Sequence, residues 1–543
     1  MFSIDQNCHS LWDVVPKLQA LARRGQKVTH FIEDIDVAFT AVGAAVDEPA
    51  QRIERERFHP SGGADWGAAL FYSDFLGRLP VDVRGWEPLI GMKVPALARR
   101  MGRTVEGFYE EFASSDNWQW IGSSYVGDRD HHRVIADLSV AEAAEFLRQI
   151  MARARADVTR AFPEPDAASR AAAWFDAEAA RLETLLADHA GGKLTDLYRA
   201  WLGGYAADPV ELGLTSNLFA LDAPAPRVQM LEVFCRDYDR TVGLYNESLA
   251  EAGAPLRPLD AAAGELPFFA VFEHLGRTVR SPVRLAGGEL IVADRSFTLD
   301  GGHVPTADMA RAGIRATPHK AVVLVIQACL AEAGSSLALP YRGSLYVPAV
   351  RRLAAKLAAA GLLPGRLGPI TRVRFRLLDR MRAVATVIRL PEHLAACFGR
   401  DEVPAADLGA AWADLAAEAA GRLRTLADPA GRARWQDQAF PELTRELADL
   451  DRRRRELART DPKAPALRGL SKQAKAIETE RIARTVRQIA RDGQVRDVDY
   501  WDSRWALLPW SLALGGEGFY DDLLARAEVY PEPLTGDADE PTR

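Results

Sequence analysis

Ala321 to Leu330 reads AVVLVIQACL, apolar on every face but for Gln327. A helix without a polar face has no solvent side, so other elements must enclose it. The run is about half the roughly 20 residues a membrane span needs, so that enclosure has to come from the protein itself. Thr317-Pro318 supplies an N-cap and a proline at the first helical position, and Gly334 a C′ stop. Ser335 to Pro340 follow, then Tyr341-Arg342-Gly343-Ser344-Leu345-Tyr346, and a second helix opens at Pro348 with Val350, Leu353, Leu357 and Leu362. A buried helix thus feeds a Gly/Ser loop with two tyrosines and an arginine, and loops on rigid scaffolds are where binding groups sit. A turn whose tyrosines only pack on the core fits the same residues.

At 543 residues the chain exceeds one core, which predicts two to four domains. A net charge of −7 makes no case for nucleic acid as the main partner. Cys8, Cys235, Cys329 and Cys397 form no CxxC, so neither a zinc ribbon nor a disulfide framework is expected, and isolated cysteines fit a reducing compartment. The first residues, MFSIDQNCHSLWDVV, do not read as a signal peptide. Taken together these predict a cytoplasmic protein with no membrane partner.

Leu11 to Ala22 predicts a helix, and Val28 to Phe39 is apolar with the acids Glu33, Asp34 and Asp36. Three acids suggest a metal site, but helix starts and solvated faces favour acids as well, and no metal is predicted. Dense Gly and Pro between Phe58 and Pro95 is α/β-style loop punctuation. Ser61-Gly62-Gly63 lacks any phosphate-loop motif. Trp118 to Tyr125 has the form of a short aromatic strand, ending in Gly127-Asp128-Arg129-Asp130-His131-His132-Arg133. At the carboxyl end of an α/β strand such groups face a binding crevice, and Asp128, Asp130, His131 and His132 are the candidate acid/base groups. A surface turn, with a histidine capping the helix that begins near Ser139, is the competing view.

Val140 to Trp201 and Val228 to Glu251 are helical in pattern. Phe268 to Glu273, Thr278 to Leu285 and Glu289 to Ala293 predict a small β meander. Arg372 to Leu377 alternates with period two. Leu408 to Leu426 marks one helix, Leu443 to Leu457 a second and Leu467 to Ile489 a third. The last two carry a coiled-coil seam broken at Asp461 to Pro465, which predicts an antiparallel hairpin. Arg452 to Arg455 lie among acids and read as a solvated face. The expected segmentation is 1–140, the N-terminal part of an α/β core; 141–255, largely helical; 256–400, the meander and the second part of the core; 401–530, the coiled coil and a closing segment; and 531–543, a loose tail.

From about Tyr245 onward the order of features resembles the cysteine-adding enzymes of bacillithiol biosynthesis. Tyr245-Asn246, Leu249 and Gly253 are similar to that family's YN..L...G, and the meander to its small β segment with a G-R pair. Ile314-Arg315 falls where the family reads L-R-P, with Ala316 for the proline, and Tyr341-Arg342-Gly343-Ser344 where it reads YVGGP. Arg372 and Phe375 to Asp379 resemble its PRxSFTLVE, and Leu508-Pro509-Trp510 its closing L-P-F segment. No GQQ-type motif is present, and Asp128-Arg129-Asp130-His131 only approximates the family's E-D-H-D. The resemblance implies an α/β fold with a Rossmann-like core related to class I aminoacyl-tRNA synthetases, inserted helical and β segments, and a C-terminal antiparallel coiled coil. It also implies a ligase of small-molecule biosynthesis, joining an amine- or thiol-bearing amino acid to a small acceptor, with ATP as a candidate co-substrate. Asp128, Asp130, His131 and His132 would do the chemistry. Arg315, Tyr341, Arg342, Gly343, Ser344, Tyr346 and Arg372 would bind a small anionic substrate, the arginines matching carboxylate or phosphate. The alternative is a non-catalytic scaffold using the coiled coil as a partner arm or for a homodimer.

Overall fold

A computed structural model describes residues 1–4, 11–36, 69–72, 75–79, 83–112, 118–120, 130–254, 256–330, 336–344, 346–502 and 507–535. Its main sheet has six strands: Phe2–Ile4, Val28–Ile32, Val210–Leu214, Leu337–Pro340, Ile370–Arg374 and Glu528–Glu532. Numbered in chain order, they lie side by side as 3-2-1-4-5-6. Every neighbouring pair is parallel except the last, where Glu528–Glu532 runs antiparallel along Ile370–Arg374.

Both faces of this sheet are covered, as parallel sheets require. Along Leu337–Pro340 the period of two sends Leu337 and Leu339 into one hydrophobic cluster and Ala338 into the other. The helix Ala321–Cys329 lies in the first of these clusters, with Val323 and Ile326 packed among Phe234, Val350 and Leu353. Its one polar side chain is satisfied: Gln327 Oε1 accepts from Met230 N at 3.0 Å and Nε2 donates to Gln229 at 2.7 Å. Among the described residues no helix is long and apolar enough to cross a membrane.

Glu265–His274, Arg277–Ala286, Glu289–Val292 and Arg295–Thr298 form the antiparallel meander, widened by Ile314–Ala316 and by His132–Arg133. This pairing overrides the expected cap at Thr317. Phe269 N donates to Pro318 O and Lys320 N to Pro267 O, each at 2.9 Å, which draws the segment along the meander and delays the helix to Ala321. The next helix spans Val347–Ala359. Of the aromatic strand, Trp118–Trp120 is described, and it pairs with Ala69–Tyr72 in a separate two-stranded sheet rather than in the main one. The histidines do not cap the helix Val140–Arg160. Ser139 does, in a reciprocal capping box with Glu142. The tail is structured at its start, since Pro531 and Glu532 belong to the edge strand and Leu534 is buried. The main sheet draws strands from the first segment, the helical one, the meander segment and the C-terminus alike.

Pro441–Thr460 and Ala466–Arg496 form the expected helical hairpin across residues 461–465. Leu450, Leu470 and Ala474 are buried between them, with Leu447, Leu457 and Ile477 alongside, and the Arg484–Glu442 pair (2.6 Å) ties the open end. Because this cluster is separate from the larger cores, Leu470→Asp should melt the arm without unfolding the rest. A cost of a few kcal/mol for a charge placed in the seam predicts lost hydrogen-exchange protection across residues 447–477. Protection equal to wild type there would show that the seam does not hold the arm.

Candidate functional site

The carboxyl ends of two neighbouring parallel strands carry a cluster of buried polar side chains. Strand Val28–Ile32 runs directly into Glu33 and Asp34, which are 6% and 1% exposed. The neighbouring strand Val210–Leu214 ends at Thr215, fully buried. Thr215 Oγ1 accepts from Asp34 N (3.1 Å) and lies 3.0 Å from Glu33 Oε1 and 2.9 Å from Asp34 Oδ1. A hydroxyl has one proton and two lone pairs, so all three contacts are hydrogen bonds only if one carboxyl is protonated. Ser216 N donates to Asp34 Oδ1 at 2.8 Å, which favours charge on Asp34 and leaves the proton to Glu33. The electrostatics agree. Burial, then the charges of Asp36 and Asp34, push the Glu33 carboxyl up to about 8, while burial also raises Asp34.

Asp36 pairs with Arg280 at 2.5 Å, and that guanidinium lies over the Phe269 ring, 4.2 Å from its centroid. Ile135 N and Ala136 N donate to the carbonyls of Asp36 (3.0 Å) and Asp34 (2.7 Å), so the turn Ile135–Asp137 clamps the acidic segment. The chain just before that turn is the predicted histidine cluster. His131 N donates to Ser281 Oγ (2.8 Å), and its ring stacks on His274 at 3.9 Å with the planes 8° apart. His132 pairs in register with Arg280, while Asp130 is exposed. Asp128 lies outside the described residues, as do Arg129, residues 121–125 and Ser61-Gly62-Gly63. Among the described residues no three His, Cys, Asp or Glu side chains are arranged to hold a metal ion.

On the other side of the central strand Phe2–Ile4, Leu337–Pro340 ends in Tyr341-Arg342-Gly343-Ser344. At about 4.8 Å between strands, this loop and Glu33 flank the central strand roughly 10 Å apart. Gly343 N donates to Pro340 O (2.8 Å), and a Cβ on Gly343 would sit 2.7 Å from Pro340 Cδ, so the turn admits only glycine without a shift. Tyr341 donates its hydroxyl to Asp499 (3.2 Å) and lies beneath Arg374, 3.8 Å from the guanidinium carbon. Burial raises its pKa.

The arginines expected to clamp an anion are held by acids. Arg342 binds Asp499 at 2.5 Å and Asp497 at 3.0 Å, which more than offsets its burial and keeps it charged. Arg372, 6% exposed, binds Glu532 and donates to the carbonyls of Gly343 (2.7 Å) and Pro340 (3.1 Å), so it braces the turn. Arg315 is exposed and pairs with Glu273 at 2.9 Å. Tyr346 stands at the N-cap of Val347–Ala359. Sequence reasoning weighed Glu33, Asp34 and Asp36 as metal ligands against helix-start or solvated acids, and passed over Thr215 and Asp499. The signal for the acids was their place directly after an apolar segment of strand length.

No family model, curated protein or solved structure matches this chain.

Proposed function

We propose that the chain is a ligase-like enzyme that joins an amine- or thiol-bearing amino acid to a small acceptor in the crevice at the carboxyl edge of the main sheet. The observation that carries this is a nearly buried carboxyl, Glu33, with an elevated pKa at the carboxyl end of a parallel strand. The order 3-2-1-4-5-6 is that of Rossmann-like sheets, whose ligands bind where the order reverses, here between Phe2–Ile4 and Leu337–Pro340. Glu33 and Asp34 follow directly on a core strand, where the crevice of such a sheet lies. The helical hairpin fits the family's coiled coil.

A carboxyl titrating near 8 holds its proton in most molecules at neutral pH, and the ionised minority is poised to take a proton from an ammonium or thiol. Glu33 would act as that base, with Asp34 and Thr215 orienting it and Tyr341 on the opposite wall. ATP enters as a candidate co-substrate. The scaffold reading accounts for Arg342 and Arg372 being spent on acids, but not for the cost of burying Glu33 beside Asp34.

A thermal-shift screen of amino acids, nucleotides and sugar phosphates tests the proposal. Binding should raise the melting temperature once a ligand exceeds its dissociation constant. Metabolite profiles of a deletion strain and its parent should differ in one conjugate. If no ligand class shifts the protein and the profiles coincide, the scaffold reading replaces this one.

A further inference from the structure

Two buried polar side chains on the connection into the helix Ala321–Cys329 have nothing to bond. His319 is 6% exposed, and neither ring nitrogen has a hydrogen-bond partner. Phe219 and Phe268 hold the ring, with centroids 4.7 and 5.0 Å away. Thr317 is 1% exposed, and its Oγ1 is equally unpaired. The backbone around them is tied down. Thr317 N donates to Phe219 O at 3.1 Å, Pro318 O accepts from Phe269 N, and Lys320 N donates to Pro267 O. These side chains are therefore held in position by their own main chain. An unmade buried hydrogen bond is costly, and adjacent orphans signal a missing partner. Burial pushes the imidazole down to about 3, so it is neutral and offers one N–H and one lone pair.

The nine-residue helix begins two positions after His319, with Lys320 at its N-cap and no side-chain cap. Its start lies on the edge of the sheet that carries the acids. Lys320 Nζ sits 5.9 Å from the Phe269 ring that also bears the Asp36-bound Arg280. A helix N-terminus directs amide N–H groups and partial positive charge at whatever fills that space.

We infer that Thr317, His319 and the N-terminus of the Ala321–Cys329 helix bind a small oxyanion, the carboxylate or phosphoryl group of a substrate. The Thr317 hydroxyl, one imidazole N–H and the amides of Ala321 and Val322 are its donors, Val323 N being bonded to Lys320 O. This rests on the carboxyl edge being the substrate crevice, and it moves anion recognition from Arg342 and Arg372 to a part of that edge whose donors are unspent.

The test measures melting temperatures of the full chain with acetate, succinate or inorganic phosphate, for wild type, Thr317→Val, His319→Leu and Glu33→Gln. At least one anion should raise the wild-type value, carboxylates or phosphate indicating which group the site takes. Thr317→Val and His319→Leu should weaken the apparent affinity at least tenfold. Their ligand-free melting temperatures should be unchanged or higher, because each removes an unpaired buried polar group. Glu33→Gln should keep the anion response, which separates this site from the acid/base reading. The inference is overturned if no oxyanion shifts the wild type. It is equally overturned if both variants respond like wild type, or if both melt well below it without ligand.

Discussion

Glu33→Gln is expected to fold more stably than wild type at pH 8. In the folded chain Glu33 titrates at about 8, against 4.5 for an unperturbed glutamate. Between those values the native state keeps a proton that the unfolded chain has released. Wild-type stability is therefore eroded as pH rises from 4.5 to 8, at about 1.4 kcal/mol per pH unit, and the penalty is constant above that range. Gln keeps the shape and can still meet the Thr215 hydroxyl, but it has no charge to desolvate. The gain should be absent near pH 4, grow through neutrality and reach several kcal/mol at pH 8. Denaturant midpoints at pH 4.5, 6.5 and 8 read this directly. A variant less stable than wild type at pH 8 would mean that the ionised carboxylate is an accommodated part of the fold.

Asp502→Ala should be the most damaging single change in the C-terminal region, costing about 3–5 kcal/mol. Asp502 is fully buried. Its Oδ2 accepts from Arg374 at 2.9 and 3.2 Å and its Oδ1 from Leu378 N at 3.0 Å, while its own carbonyl accepts from Phe375 N at 3.1 Å. Removing it strands the Arg374 guanidinium, 8% exposed, between the sheet and the Tyr341 ring. Burial nevertheless pushes the Asp502 carboxyl up to about 6 even with Arg374 beside it. Desolvation outweighs the attraction, so the pair is not a net source of stability. Arg374→Met combined with Asp502→Leu should then cost far less than Asp502→Ala alone. A double variant as damaged as the single one would show that the ion pair itself holds the region together.

These two sites differ in how far the sequence announced them. The hairpin, the meander and the enclosed helix were legible because each rests on a pattern repeated within a short window. The seam steps by three and four, the meander strands are cut by Gly276 and Gly287-Gly288, and Ala321–Cys329 is apolar all round. The cap at Thr317 misled because a cap is a local preference worth about 1 kcal/mol, and pairing with the meander displaced it. Tyr341 to Ser344 follow directly on the core strand Leu337–Pro340, whereas the described part of the Asp128 to His132 segment runs into the meander beside Arg280. Their roles could not be read. Arg342 and Arg372 look like anion clamps until their partners, 157 and 160 residues away, are known.

The sequence alone therefore determined the kinds of element and most of their extents, since helix and strand are written in side-chain periodicity. Only the tertiary structure decided which strands became neighbours. That choice brought Thr215 across 182 residues onto Glu33 and gave Arg372 to Glu532, leaving Thr317 and His319 without partners. The physical reason is that a carboxyl acquires its proton affinity, and an arginine its role, from charges and burial in space. Those surroundings exist only after the long loops between the strands have closed.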